Sequence, residues 1–219
     1  MLKEINYADV FNNTIHTSDW LIDKTFSPTG YAIGYPLLYV LYRILDEQHP
    51  KNILEFGFGQ STKLFHQYSS FIKEAHITTF EHNAKWVEFF SKRKSRPENA
   101  ELVVVESEII RFKGFNTIII KNIDQHVKEN IFDLILVDAP TVLKRYSRSQ
   151  ILKFVPGNIN PDHFIIIIDD SQRCGEKDTC RELENSFKKH NIIFHKGEYS
   201  GIKSSALYCS DDLKFLTTL

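Results

Sequence analysis

The chain has 219 residues, 42% of them hydrophobic and 25% charged, a composition that supports one large packed domain and argues against disorder. A net charge of −1 gives no overall field to recruit nucleic acid or an anionic membrane. Length, composition and charge thus exclude a nucleic-acid or membrane partner and leave small-molecule chemistry open.

In chain order, residues 1–50 read as an N-terminal cap or lid. Met1-Leu2-Lys3-Glu4-Ile5-Asn6 lacks the apolar core of a signal peptide, and no apolar run approaches the roughly 20 residues of a membrane span. Residues 17–34, with Pro28, Gly30 and Gly34, predict a loop or broken helix. Trp20, Phe26 and Tyr31 within it are expected to pack in the cap, or else to line a lid. Residues 35–48 are apolar at helical spacing and stop before His49-Pro50. From residue 51 the chain alternates. Strands are predicted over 52–55, 76–81, 101–106, 131–138 and 164–169. Helices fall over 61–71 with Ser61 as N-cap, from Asn83 to about Ser95 with Trp86 in the core, and over 176–190. The strands are runs of Ile, Leu and Val, as expected of strands buried on both faces. Residues 192–196 and 205–209 read as a closing hairpin. Residues 107–130 fit less neatly, with 115–120 either an extra strand or part of a lid and 124–129 a short helix. The pattern predicts an α/β three-layer sandwich with a mostly parallel, Rossmann-like sheet and an antiparallel C-terminal hairpin.

Chemistry concentrates at the strand ends. The first strand runs into Glu55-Phe56-Gly57-Phe58-Gly59-Gln60-Ser61-Thr62, where glycines let the backbone approach a ligand. Thr62 stands where a dinucleotide fingerprint wants its third glycine, and Glu55 would repel a pyrophosphate while welcoming a cationic ligand. Glu81 ends the second strand, where a carboxylate can accept from both hydroxyls of a ribose. Asp138 ends the fourth, and Asp169-Asp170 the fifth. Parallel strands bring these acids to one edge of the sheet, where ligands of open α/β folds bind. Cys174, Cys180 and Cys209, an odd set without zinc spacing, read as ordinary thiols of a reducing, cytoplasmic compartment.

Glu55-Phe56-Gly57-Phe58-Gly59, Glu81 and the strand ending at Asp138 resemble the class I S-adenosylmethionine-dependent methyltransferases over about residue 53 to the C-terminus. The resemblance implies a seven-stranded sheet whose last strand is antiparallel, with residues 51–219 as the S-adenosylmethionine-binding domain. It implies that Gly57 and Gly59 lie against the methionine part of the cofactor, with Glu55, Ser61, Thr62 and Asp138 around it. Glu81 is implied on the ribose, His82 in the adenosine pocket, and Glu106 or Ser107 near the adenine. Val137-Asp138-Ala139-Pro140 with Ile168-Asp169-Asp170 is similar to the cation-dependent O-methyltransferases of the catechol and caffeoyl type. Asp170 stands where that group has asparagine, and the nearest lysine after Asp138 is Lys144. The same segments, with Tyr146-Ser147-Arg148 and Ser171-Gln172-Arg173, also resemble the glucuronoxylan 4-O-methyltransferases.

These resemblances imply O-methylation of a small-molecule or saccharide hydroxyl. Asp138 and Lys144 are the candidate catalytic groups. Asp138, Asp169 and Asp170 are candidate hard-oxygen ligands for Mg²⁺ or another divalent cation. Arg145, Arg148 and Arg173 are candidate forks for an acidic acceptor. The alternatives are a dinucleotide-dependent oxidoreductase and a non-catalytic S-adenosylmethionine-binding protein. Residues 1–50 are expected to cover the acceptor site or to make a homodimer contact.

Overall fold

The computed structural model describes residues 1–28, 30–91, 96–127, 129–140 and 143–219. Its elements in chain order are α1 (Leu2–Ile15), α2 (Tyr35–Gln48), β1 (Asn52–Phe56), α3 (Gln60–Phe71), β2 (His76–Glu81), α4 (Ala84–Ser91) and β3 (Ala100–Val104). There follow β4 (Ser107–Phe112), β5 (Phe115–Ile120), α5 (Ile123–Val127), β6 (Leu134–Val137), β7 (Ile165–Ile168), α6 (Cys174–Lys189), β8 (His195–Ser200) and β9 (Ser204–Cys209). Two 3₁₀ segments, Ser149–Phe154 and Asp211–Thr217, complete the chain. No helix among the described residues is long and apolar enough to cross a membrane.

Seven strands form one sheet in the order β3-β2-β1-β6-β7-β9-β8. All neighbours are parallel except β9, which runs antiparallel to both β7 and β8. The direction of winding reverses between β1 and β6, the crevice where ligands bind in such sheets.

Alternation along the strands sorts the core into two layers, because successive side chains of a strand point to opposite faces. Ile53, Leu134, Leu136, Ile165 and Ile167 pack with α2 and α3 residues such as Leu41, Leu45 and Phe65. Leu54, Phe56, Ile135, Val137, Ile166 and Ile168 pack on the other face against Leu183 and Phe187 of α6 and Ile151 and Phe154 of the first 3₁₀ segment. β7, four consecutive isoleucines, is buried on both faces, as its composition predicts.

Several boundaries differ from the sequence reading. The N-terminal segment contains α1, which buries only Glu4, Phe11 and Ile15, a stripe too thin to read as helix periodicity. Residues 115–120 are the extra strand, β5, of the two alternatives the sequence left open; it pairs with an unexpected strand, β4, as a two-stranded antiparallel hairpin apart from the main sheet. The closing hairpin starts at His195 rather than at 192, and Gly197 lies inside β8. That glycine marks a close approach, not a turn: a Cβ there would stand 2.8 Å from the Cα of Thr217. The helix after β2 is described to Ser91; its expected end near Ser95 lies outside the described residues. Trp86 is 40% exposed and not core.

In the cap, Trp20 stacks on Tyr42 with ring centroids 5.2 Å apart, and its indole N–H donates to Asp46 Oδ1 at 2.8 Å. Phe26 packs edge-on to Phe11 at 5.5 Å. Tyr31 alone of the three is fully open to solvent. Glu4 ties α1 to the rest of the chain: its carboxylate accepts from Tyr35 N at 2.7 Å, capping α2, and from Ile202 N at 2.9 Å in the β8–β9 turn.

Candidate functional site

The glycine loop follows β1. Gly57 has φ +107°, which only glycine adopts without strain, and a Cβ there would stand 3.4 Å from Ala139 Cβ and 3.6 Å from Asp138 Cβ. The loop therefore passes directly against the residues that follow β6. Gly59, not Ser61, is the N-cap of α3, and its N–H donates to Thr62 Oγ1 at 2.9 Å. No heavy atom lies within 4 Å of the place a Cβ of Gly59 would occupy, so a ligand can close on the backbone there.

Glu55 lies beneath this loop with no exposed surface, so it does not meet a cationic ligand directly. Its Oε2 accepts from Thr62 Oγ1 and Thr79 Oγ1, both at 2.8 Å, and so braces the turn. Burial drives its carboxyl up to about 7, against the lowering effect of the hydroxyls of Ser61, Thr62 and Thr79. Ser61 and Thr62 are likewise buried in the first turn of α3.

Glu81, at the end of β2, faces the same loop. Its Oε2 accepts from Phe58 N at 3.1 Å and its Oε1 from Asn83 N at 2.7 Å. His82 Nδ1 lies 3.1 Å from Oε1. Burial works to raise this carboxyl, but His82 and the two backbone N–H groups outweigh it and hold it below the usual range. Asn83 caps α4 by accepting from Trp86 N at 3.1 Å, and the Trp86 indole N–H donates to Phe58 O. Glu106 and Ser107 are exposed at the base of the β4–β5 hairpin, where Lys121 Nζ reaches Glu106 at 3.0 Å. They adjoin Val105, whose N–H donates to Glu81 O at 2.9 Å.

Asp138, Asp169 and Asp170 meet at the ends of β6 and β7, and each offers one carboxylate oxygen within 4.8 Å of the others. Ser205 Oγ donates to Asp169 Oδ1 at 2.6 Å. Asp170, in a left-handed conformation with φ +58°, accepts at Oδ2 from Arg148 at 3.0 Å, and the same oxygen pairs with Arg173 Nη1 at 2.7 Å. Asp169 Oδ2 and Asp170 Oδ1 are buried and accept no hydrogen bond among the described residues. Lys203 Nζ stands 3.9 Å from Asp170 Oδ1. Asp138 is the more open member, with 20% of its side chain exposed. Burial first, then the neighbouring Asp169, pushes its carboxyl well above the ordinary carboxylate range.

The arginines separate. Arg148 is 3% exposed, so it turns inward rather than toward an acceptor in solvent. Its guanidinium donates to Asp138 Oδ1 at 3.2 Å, Asp170 Oδ2 at 3.0 Å and Asp169 O at 2.6 Å, and lies 3.7 Å from the fully buried Glu176. Burial opposes its charge, yet Asp138, Asp169, Glu176 and Asp170 more than compensate. Arg145 forks onto Asp178 of α6 and lies over the rings of Phe115 and Tyr146, so it is a clasp for the hairpin. Arg173, 35% exposed, and the exposed Lys144 remain at the surface. Lys203, Ser205 and Glu176 join the cluster without a signal in the sequence. β9 pairs with β7 so that Ser205 falls beside Asp169, a placement only the sheet order reveals.

A cavity of about 580 Å³ opens on the α3 side of the loop, between Thr25, Phe58, His66, Phe90 and Leu102. None of the strand-end acids contributes to its described walls.

No protein-family model matches the chain, and no curated protein matches it. Solved structures do match in fold. A protein from Staphylococcus aureus described as a caffeoyl-CoA O-methyltransferase aligns with a TM-score of 0.57 at 12% identity, covering 96% of this chain and all of that one. A precorrin-6y C5,15-methyltransferase from Geobacter metallireducens aligns at 0.55 and 12% identity, over 87% of this chain and 95% of its own. An O-methyltransferase from Bacillus cereus in complex with SAH aligns at 0.52 and 15% identity, over 96% and 91%. The chain thus has the Rossmann-like α/β fold of the class I S-adenosylmethionine-dependent methyltransferases, with β9 as the antiparallel last strand.

Proposed function

We propose that this chain is an S-adenosylmethionine-dependent O-methyltransferase acting on a hydroxyl of a small molecule or saccharide. The observation that carries the reading is the apposition of the glycine loop, fastened to Glu81, with Asp138 across the β1/β6 switch point. Open space at Gly59 and the low-lying Glu81 carboxylate suit a cofactor with an uncharged ribose diol next to the loop.

S-Adenosylmethionine would supply the methyl electrophile. A divalent cation would supply charge compensation for the acceptor oxygen, and three clustered carboxylates, two of them with a buried oxygen that accepts no hydrogen bond, fit one. Asp138, Asp169 and Asp170 would hold that cation, as Gly57, Gly59 and Glu81 would hold the donor. The chain's own share of the reaction is orientation and proton management. Gly57 and Glu81 fix the donor side, and alignment of donor with acceptor supplies much of the rate in displacement reactions. Where no cation is bound, Asp138, raised by its surroundings, is a better base than an ordinary carboxylate, and its Oδ2, the oxygen Arg148 does not hold, takes the proton from the acceptor hydroxyl; with the cation bound, that oxygen would be a ligand instead. Arg173, at the surface of the same edge, is the remaining arginine able to meet an acidic acceptor.

The test is transfer of labelled methyl from S-adenosylmethionine to panels of sugars, phenols and hydroxy acids, with and without chelator. Product expected from the wild type falls by about two orders of magnitude or more in Asp138→Asn. Activity unmoved by chelator, together with a fully active Asp169→Ala, would remove the cation from this account.

A further inference from the structure

The acid cluster at the ends of β6 and β7 contains its own cation. Arg148 reaches it from the residue before the 3₁₀ segment Ser149–Phe154, held in a left-handed conformation with φ +61°. One nitrogen, Nη2, bridges Asp138 Oδ1 at 3.2 Å and Asp170 Oδ2 at 3.0 Å. The other, Nη1, donates to the carbonyls of Asp169, the residue after β7, at 2.6 Å and of Val137, the last residue of β6, at 3.3 Å. A guanidinium 3% exposed and set against the carboxyl groups of Asp138, Asp170 and Glu176 is a fixed charge, not a surface fork. It occupies one oxygen of Asp138 and one of Asp170 and leaves Asp170 Oδ1 and Asp169 Oδ2 buried without a donor.

We propose that Arg148 is a resident counter-ion that sets how strongly this edge binds a divalent cation. It positions Asp138 and Asp170 while the edge is empty and weakens cation binding by placing a positive charge against the same acids. This inference rests on the reading that these three aspartates hold a cation. Two unit charges a few ångströms apart repel appreciably even at the effective dielectric of a protein interior. A cation at the free oxygens must therefore work against Arg148. A chain without that guanidinium would instead need the metal to keep these crowded acids together.

The experiment uses Mn²⁺ alone as probe, read by electron paramagnetic resonance of free Mn²⁺ and by thermal unfolding with Mn²⁺ or with EDTA. The wild type should bind Mn²⁺ weakly and unfold at nearly the same temperature in both buffers. Arg148→Met should bind Mn²⁺ about tenfold more tightly or better, and melt lower in EDTA with most of that loss restored by Mn²⁺. Arg148→Lys, which keeps the charge, should stay near the wild type in affinity. A folded Arg148→Met that binds Mn²⁺ no more tightly than the wild type overturns the proposal, as does absence of Mn²⁺ binding by every variant. Should Arg148→Met not fold in either buffer, arginine side-chain NMR of the wild type decides. Mn²⁺ must broaden the Arg148 Nε–H signal before those of other arginines, and an unaffected signal contradicts the proposal. None of these readouts uses a methyl donor. Failure of the chain to bind S-adenosylhomocysteine would sink the methyltransferase reading and leave this one standing.

Discussion

Single residues in this site owe their properties to where the backbone leaves them. Glu55 is the clearest. Buried under the glycine loop and raised to about 7, it is more easily deprotonated unfolded than folded. Its contribution to stability is therefore fully present below the unfolded value near 4.5 and lost as pH rises through about 7. Glu55→Gln should remove that dependence: relative to the wild type, the variant gains on the order of 3 kcal/mol between pH 4.5 and 8 in urea unfolding. An unchanged difference across that range would contradict the buried, raised carboxyl. The two loop glycines should part company. Gly57→Ala forces a residue with a Cβ to φ +107° and costs about 1–3 kcal/mol of stability. Gly59→Ala meets nothing within 4 Å, so unfolding should be nearly unchanged while affinity for S-adenosylhomocysteine falls. Glu81→Ala should weaken that affinity by about tenfold or more, since the carboxylate proposed to meet the ribose hydroxyls is lost.

At the scale of elements, the chain's alternation was legible where one physical rule decides the outcome. β7 reads as a buried strand because four isoleucines can sit nowhere else, and α2 because its apolar residues repeat at helical spacing. The strand-end acids converge because parallel strands must share an edge. Rules in competition hid the rest. Gly197 has the sequence mark of a turn, yet serves the close approach of residue 217 inside a strand. Arg148 cannot be told from a surface arginine by its neighbours in sequence, since its burial depends on acids 10, 22 and 28 positions away. The β4–β5 hairpin has no partner in the main sheet, and its attachment is made by side chains. Thr117 Oγ1 donates to Tyr146 O at 2.7 Å, Gln150 accepts from Ile120 N at 2.9 Å, and Phe112 packs edge-on to Tyr146 at 5.3 Å. Tyr146→Ala should therefore raise amide exchange across 107–120 while the β1, β6 and β7 amides keep their protection. Equal loss of protection in both would show that the hairpin and the sheet open as one unit.

For the whole molecule, the sheet brings together two halves of one proposed reaction centre. The β1–β2 half holds a glycine loop fastened by Glu81. The β6–β7 half holds acids neutralised from within by Arg148 and from the hairpin turn by Lys203, which also donates to Ala32 O at 2.9 Å. The N-terminal segment is thereby tied to the acidic edge through the β8–β9 turn, with Glu4 as a second tie. The central claim is that the crevice between the halves takes a methyl donor's nucleoside, and calorimetric titration with S-adenosylhomocysteine and, separately, with NAD tests it most directly. The account predicts one S-adenosylhomocysteine bound per chain, with affinity weaker by about tenfold or more in Glu81→Ala, and no heat from NAD. Binding of NAD in preference to S-adenosylhomocysteine, or of neither by the folded chain, would contradict it.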